Sequence, residues 1–387
     1  MPKLSIVVPA YNEERSLSRC IGRVLSIADE TLELEVLIVD DASTDRTLEQ
    51  AAALERQHPQ IRVLRHEANQ GKGAALRTGF RQATGDFVAV QDADLEYDPQ
   101  DLKRLLQPLI EGSADVVVGS RFLSSGTHRV LYFWHSIGNR FLTLLSNMFT
   151  DLNLTDMETC YKVFRRDVLQ RIELAEDRFG FEPEVIAKLA RMRVRIYEMG
   201  VSYAGRTYEE GKKIGVKDGV RALYCIVRYN MPHAPMPIQF GGYVLVGGLC
   251  AIVNVVLFMA FSAVTSTWIA AAMAFLLAAV LNYWLCIILL FRRGTKWSTW
   301  GEISAYGALV AAIGAIDAFT TVALIKAGTP SIVAKTLASA IALIFNFLGR
   351  RLLIFPERPS SDWAASNVAE SGRTAAALPH DSLRGSR

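Results

Sequence analysis

Apolar residues fall along this chain in two different rhythms. Through the first 120 residues they come as short runs, Leu4–Val8, Leu34–Val39, Ile61–Leu64, Phe87–Val90 and Asp115–Val118, each suited to one strand buried on both faces. Between the runs the spacing turns helical. Leu17, Ile21, Val24 and Leu25 share a face behind a candidate cap at Asn12. Leu48, Ala52 and Leu54 follow cap candidates Ser43 and Thr44, and Leu102, Leu105, Leu106 and Leu109 follow Pro99. Strands and helices alternating in this way predict an α/β fold, a doubly wound and mostly parallel sheet that binds ligands at the carboxyl ends of its strands.

Beyond that point the pattern changes. In Arg129–Leu152, residues Val130, Phe133, Trp134, Ile137, Phe141, Leu144, Leu145 and Met148 alternate with His, Asn and Arg, which suits either a core-facing helix or one lying in a membrane interface. Lys217–Tyr229 sets Arg221 and Arg228 against Val220, Leu223, Tyr224 and Val227, directly before a long apolar span, and this favours the interface. Four spans follow, about Ile238–Phe261, Trp268–Phe291, Ile303–Ile325 and Ile332–Phe355, each above the ~20 residues needed to cross a bilayer core. The first connection, Ser262–Thr267, is uncharged and the third carries Lys326. Arg292, Arg293 and Lys296 lie in the second, and Arg350, Arg351 and Arg358 at the far end, so counting positive charge puts both termini in the cytoplasm. Three parts result: a domain over 1–230 with interfacial helices, an all-α domain of four transmembrane helices over 231–356, and a disordered cytoplasmic tail over 357–387.

The membrane half repeats itself. Tyr243 and Asn254 recur as Tyr306 and Asp317, and Asn282 and Phe291 recur as Asn346 and Phe355. Two spans per unit make the two units parallel. Asn254 and Asp317 fall mid-span, as glue between helices or as part of a path for a lipid headgroup or substrate.

Composition narrows the classes. Of 387 residues, 51% are hydrophobic and only 21% charged, and the excess lies almost wholly between Ile238 and Phe355; this excludes disordered, collagen-like and disulfide-scaffold proteins. A net charge of +3 is too small to argue for nucleic acid. Five scattered cysteines without a CxxC read as reduced thiols rather than zinc ligands or bridges. Leu4–Pro9 is too short for a signal-peptide core, so no leader is expected.

Candidate chemistry gathers where strands end. VVPAYNEE (Val7–Glu14) closes the first strand and VDDAST (Val39–Thr44) the second; each supplies turn and cap residues, or carboxylates that accept from a base or ribose while Tyr11 packs on a ring. NQGKGAAL (Asn69–Leu76) is a glycine-bearing turn opening a helix, suited to anionic groups, though not a P-loop. In QDADLE (Gln91–Glu96), Asp92 and Asp94 close a buried strand, where side chains two apart point the same way. Two converging carboxylates repel unless a cation lies between them. Mg²⁺ or Mn²⁺ bridging a diphosphate is the natural occupant, with most of its ligands from phosphate and water.

As a set, VPAYNEE, DDASTD, NQGKGAALRTGF, GDFVAVQDADLEYDP and GSRF resemble the family 2 glycosyltransferases with the GT-A fold, and within them the dolichyl- and polyprenyl-phosphate mannose and glucose synthases. DMETCYKVFRR, FEPEV and RTYEEGKKI continue the likeness over about residues 3–230, and the membrane half is similar to the GtrA-like family. The resemblance implies a membrane-bound enzyme with a nucleotide-sugar donor (GDP-mannose or UDP-glucose), a polyprenyl or dolichyl phosphate acceptor, a Mg²⁺ or Mn²⁺ cofactor and a lipid bilayer as partner. A homo-oligomer stays open. It implies that Pro9, Tyr11, Glu13, Asp40, Asp41, Lys72 and Asp92 hold the nucleotide, and that Asp92, Asp94 and Glu96 hold the metal. Asp156 and Glu184 would lie near the donor sugar. Arg206 and Lys212, with Lys213 as the neighbouring alternative, would fold over the diphosphate, and Arg121 would grip the acceptor phosphate. Asp94, Arg121, Arg206 and Lys212 form the implied catalytic set. His135 and Asn139 stand where mannose synthases carry Arg and Ser, and Cys160 stands where the family carries Gly.

An acceptor phosphate is already anionic, so a single in-line displacement that inverts the anomeric centre needs no general base. The basic residues over Lys188–Arg228 serve either this chemistry or simple attraction to anionic lipid. Two other classes share the fold. A processive polysaccharide synthase usually carries a QxxRW motif, absent here, and four short spans are few for a polymer channel. A lipid-sugar transporter or scaffold with an idle transferase domain would not need Asp92, Asp94, Arg206 and Lys212 intact.

Overall fold

The computed structural model describes residues 1–123, 129–130, 132–205, 215–291 and 299–355. The chain divides into two compact units that meet in sequence at Asn230 and Met231.

The first unit is built on seven strands: β1 (Lys3–Ala10), β2 (Glu33–Asp40), β3 (Ile61–Arg65), β4 (Phe87–Val90), β5 (Val116–Ser120), β6 (Lys162–Arg165) and β7 (Ile196–Gly200). They form one sheet in the order β3-β2-β1-β4-β6-β5-β7. All pairings are parallel except those of β6, which runs antiparallel to β4 and β5. The register sets Ala10 beside Asp40 and Val7 beside Val90, so β1, β2 and β4 end on one edge. After β3 the chain crosses to the other side of β1, leaving β1 and β4 as neighbours from opposite windings. The crevice outside their carboxyl ends is the usual ligand position of such a sheet. β1 and β2 are buried almost throughout, and the polar residues inside their apolar runs are paired there, Ser5 Oγ donating to Glu35 Oε2.

Helices α1 (Leu17–Leu25), α2 (Thr47–Gln57), α3 (Lys72–Gln82), α4 (Gln100–Ile110), α5 (Phe133–Thr150), α6 (Arg166–Leu169), α7 (Phe181–Met192) and α8 (Val216–Asn230) accompany the sheet. The expected caps sit elsewhere. Asn12 has a left-handed backbone, φ 53°, and clasps two loops: its Oδ1 accepts from Thr44 N at 2.8 Å and its N donates to Ser43 Oγ at 3.1 Å. The first turn of α2 is instead served by Asp45, whose Oδ1 accepts from Thr47 N. β6 and β7 are strands that the apolar pattern does not announce. β6 has two apolar residues between Lys162 and Arg165, and β7 is a half-exposed edge.

Helix α5 is inverted relative to a core helix. Its buried residues are Asn139, Thr143 and Ser146, while Phe133, Trp134, Ile137, Phe141, Leu144 and Met148 are exposed. It packs against α8, which exposes Val220, Leu223 and Tyr224 and buries Ala222, Cys225 and Ile226. A core-facing reading of Arg129–Leu152 therefore fails for most of its apolar residues.

In the second unit, α9 (Met236–Ser262) pairs with α10 (Thr267–Leu285), and α11 (Thr299–Lys326) with α12 (Ser331–Gly349). Four segments here are long and apolar enough to cross a membrane, and the protein is an integral membrane protein. The repeat seen in the sequence is physical. α10 and α12 each run on into a π-helical turn, Cys286–Phe291 and Arg350–Ile354, and the Phe291 and Phe355 rings stack at 5.0 Å. Between the repeats lies Arg350, 4% exposed. It donates to Asn346 Oδ1, Asn282 Oδ1 and Tyr306 Oη, and its guanidinium sits 5.3 Å from the Tyr243 ring and 4.8 Å from that of Tyr306. Asp317 accepts from Ser339 Oγ at 3.1 Å, a bond that joins α11 to α12. All five cysteines are free thiols, and all are buried.

Candidate active site

A cavity of about 360 Å³ opens at the carboxyl ends of β1, β2 and β4. Its floor comes from the strand ends themselves: Pro9 in β1 with Tyr11 and Glu13 after it, Asp41 after β2, and Asp92, Asp94 and Glu96 after β4. Lys72, at the start of α3, stands between two carboxylates. Its Nζ is 2.9 Å from Asp92 Oδ1 and 3.1 Å from Glu182 Oε1. Burial alone would lower the pKa of this ammonium, but Asp92 and Glu182 outweigh it and raise the pKa well above the usual lysine value.

The glycine turn before α3 is occupied by the chain's own anion. Gln70 N and Gly71 N donate to the two oxygens of Asp41 at 2.9 and 2.7 Å, and His66 Nδ1 lies 2.7 Å from the same carboxylate. A ligand anion therefore does not take these donors, contrary to the expectation for the turn; Asp41 holds it in shape. Gly71 has φ 103°, and a Cβ there would come within 2.4 Å of Asp177 O. A Cβ on Gly73 would meet Glu176 O at similarly close range. Both glycines thus let the turn press on segment 176–178 and bring Arg178, Phe179 and Glu182 to the cavity wall.

Arg121 lines the cavity from the end of β5, and Asp156 holds it there. Nε donates to Asp156 Oδ2 at 2.7 Å and Nη2 to Oδ1 at 2.8 Å, while Arg121 N also donates to Oδ2. The guanidinium lies 5.2 Å from the ring of Tyr203, whose hydroxyl donates to Glu96 Oε2 at 2.8 Å. Tyr97 stacks on Tyr161 at 4.6 Å and packs on Tyr203 at 5.0 Å, closing this side with aromatic rings.

Of the residues singled out in the sequence, the cavity gathers Pro9, Tyr11, Glu13, Asp41, Lys72, Asp92, Asp94, Glu96, Arg121 and His135. Four others lie behind its wall. Asp40 is fully buried and accepts from Ser43 N. Asp156 is fully buried under Arg121, and Asn139 donates to it at 3.1 Å. Glu184 is fully buried, accepting from Ala175 N and Glu176 N. Arg206, Lys212 and Lys213 lie outside the described residues.

Sequence reasoning passed over Glu158, Glu182, Tyr97, Arg178, Phe179 and Tyr203, all on the wall. Glu158 and Glu182 were within reach of it. Each lies two residues from a carboxylate that was chosen, Asp156 and Glu184. On a helix, two residues are about 200° apart, so Glu182 and Glu184 face opposite ways. Burial, and next the charge of Glu182, push the Glu158 carboxyl up to about 8.

For a divalent cation the donor set is hard and oxygen-only. Asp92, Asp94 and Glu96 share the cavity, and each already has a partner in the protein: Asp92 with Lys72, Asp94 with Glu96 N, Glu96 with Tyr203. Among the described residues no group of three or more His, Cys, Asp or Glu forms a cage. The residues fit a six-coordinate Mg²⁺ or Mn²⁺ that draws most of its ligands from a diphosphate and water.

Residues 5–173 match the glycosyl transferase family 2 profile, and residues 242–355 match the GtrA/DPMS transmembrane domain. The undecaprenyl-phosphate mannosyltransferase of Micrococcus luteus is 32% identical over 221 residues, which cover 54% of this chain and 86% of that protein. The dolichol-phosphate mannosyltransferase of Pyrococcus furiosus is 27% identical over 232 residues, 59% of this chain and 64% of that one. Among solved structures, glucosyl-3-phosphoglycerate synthase from Mycobacterium tuberculosis superposes with a TM-score of 0.47 and 19% identity, over 59% of this chain and 80% of that one.

Proposed function

Because the chain belongs to glycosyl transferase family 2 and carries a GtrA/DPMS-type transmembrane domain behind its catalytic one, we propose that it transfers a hexose from GDP-mannose or UDP-glucose to polyprenyl or dolichyl phosphate at the cytoplasmic membrane face. The reading rests on one observation above all: the strand-end carboxylates Asp92 and Asp94, the lysine Lys72 and the anchored Arg121 line a single cavity. Relatives named for undecaprenyl and dolichol phosphate support the acceptor class, and the positive charge flanking the spans supports the cytoplasmic face.

In this reading Tyr11 and Glu13, at the end of β1, hold the nucleoside beside Asp41, which shapes the turn that carries Lys72. Asp92 and Asp94 would hold Mg²⁺ or Mn²⁺, which when bound offsets charge on the departing diphosphate. Lys72 supplies a fixed positive charge on the same side. Arg121, with two nitrogens committed to Asp156, is preorganised to orient an acceptor phosphate, and His135 lies on the same wall. An acceptor phosphate oxygen attacks the anomeric carbon as the bond to the nucleoside diphosphate breaks, and the configuration inverts. No proton has to be removed from the nucleophile. Arg206 and Lys212 complete the proposed set from outside the described residues.

The test is a donor screen on the detergent-purified full chain, with polyprenyl phosphate, Mn²⁺ and radiolabelled GDP-mannose, UDP-glucose, UDP-galactose or UDP-GlcNAc in turn. One donor should give lipid-soluble label in wild type and none in Asp94→Ala. Nucleotide-sugar hydrolysis without lipid label from any donor would overturn the acceptor assignment.

A further inference from the structure

Among the described residues, two carboxylates of the cavity wall each have an oxygen without a hydrogen-bond partner. Glu158 Oε1 and Glu182 Oε2 are both buried and both unbonded. Most buried polar atoms in folded proteins are bonded, so a pair of orphans on two residues that line one cavity marks a place that a ligand completes. Glu182 is 4% exposed, and its other oxygen is held by Lys72. Among the described residues Glu158 Oε1 has no hydrogen-bond partner. The backbone beneath it is braced: Lys162, wholly buried at the start of β6, donates from Nζ to the carbonyls of Met157 and Thr159 on either side.

The ligand chemistry follows from the charges. Lys72 bridges Glu182 to Asp92, so the glutamate pair adjoins the diphosphate end of the site. A phosphate would be repelled by two carboxyl groups. A second cation would have to displace the Lys72 ammonium already lying between Asp92 and Glu182. An uncharged group that both donates and accepts fits, and a sugar ring offers several such hydroxyls next to its phosphate. We propose that Glu158, working beside Glu182, reads the hydroxyls of the transferred hexose and so sets which sugar the donor site accepts. This deepens the reading of the cavity as a nucleotide-sugar site and rests on it. The raised Glu158 pKa agrees, because a protonated carboxyl donates one hydrogen bond and accepts another.

The experiment compares wild type, Glu158→Ala and Glu158→Gln as full-length protein in detergent with Mn²⁺. Calorimetry gives Kd for UDP against UDP-glucose and for GDP against GDP-mannose. The extra affinity contributed by the sugar should fall about tenfold in Glu158→Ala, the scale of one lost hydrogen bond, while Kd for the bare nucleoside diphosphate stays within about twofold. Retained nucleotide binding also shows that the variant is folded. Glu158→Gln, which keeps a donor and an acceptor, should hold most of the sugar affinity. Deoxy-sugar donors lacking the contacted hydroxyl should be penalised in wild type and no longer in Glu158→Ala. Equal losses for nucleotide and nucleotide-sugar, or no loss for either, would overturn the assignment. A Glu158→Gln variant as weak as Glu158→Ala would overturn the neutral carboxyl. Wild type that binds nucleotide-sugar but labels no lipid would remove the proposed acceptor and leave this inference standing; wild type that binds no nucleotide would remove both.

Discussion

Asp156 accepts from Nε and Nη2 of Arg121 at 2.7 and 2.8 Å, and the pair is buried with the carboxylate wholly out of solvent. Burial works to raise the Asp156 pKa, yet the guanidinium overrides it and keeps the carboxyl below its ordinary value. Removing one partner of such a pair leaves a charge with no counter-ion. Asp156→Asn should destabilise the fold by about 3–5 kcal/mol in urea unfolding. Arg121→Lys keeps the charge but loses the two-pronged bond, so it should fall in activity nearly as far as Arg121→Ala. Lipid labelling of the two variants side by side is the check.

Gly73→Ala should be costly in a different way. The new Cβ would overlap Glu176 O, and backbone cannot swing aside as a flexible side chain can. The turn must then draw back from 176–178, and Glu182 with it. A loss of about 1–3 kcal/mol in stability is expected, the scale of forced local strain, together with weaker nucleotide-sugar binding. Gly112→Ala is the contrast. Unlike Gly73 it has a left-handed backbone, φ 71°, and nothing lies within 4 Å of the added Cβ, so it should lose stability without losing donor affinity.

Glu158 gives a pH signature of definite sign. Its carboxyl, ordinarily near 4.5, is pushed up to about 8 in the folded protein, so the folded state binds the proton more tightly than the unfolded chain does. Its contribution is fully present below pH 4.5 and is lost as pH rises through about 8. Melting curves of wild type and Glu158→Gln between pH 5 and about 8.5 should therefore diverge, with wild type falling relative to the variant at the alkaline end. Parallel curves would show that Glu158 is charged throughout.

Helix α5 should matter to the lipid and little to the fold. Trp134 is 79% exposed and Phe141 53%, so replacing both with Ser should leave stability within about 0.5 kcal/mol. If this face lies in the bilayer surface, lost burial of about 1.5–3 kcal/mol per side chain should raise KM for polyprenyl phosphate in vesicles at least tenfold, with donor KM unchanged. An unchanged acceptor KM would assign the exposed stripe some other role.

Much of this was legible in the chain, and what was not follows a physical pattern. The five strands with short apolar runs declare themselves because burial of most of their residues, β3 excepted, leaves little choice of side chain. β6 does not, since its inward Lys162 serves the backbone of a neighbouring loop rather than a core. The strand-end motifs were readable for a similar reason: Asp92 and Asp94 are placed by the strand that precedes them. Glu182 owes its position to a contact across a long stretch of sequence, the approach of Gly71 and Gly73 to residues 176–178, while Glu158 sits on a loop braced locally by Lys162. No local pattern encodes the long-range contact. Asp156 and Glu184, the neighbours singled out instead, turned out to be supports behind the wall.

Arg350 bears on how the membrane unit comes into being. It lies just past α12, made after the other three spans, yet its partners Asn282 and Tyr306 belong to α10 and α11. Until α12 enters the bilayer, Asn282 and Tyr306 lack this guanidinium. The second hairpin is therefore the keystone of the first, and the polar groups of α10 and α11 are satisfied by Arg350 only once α12 has joined them.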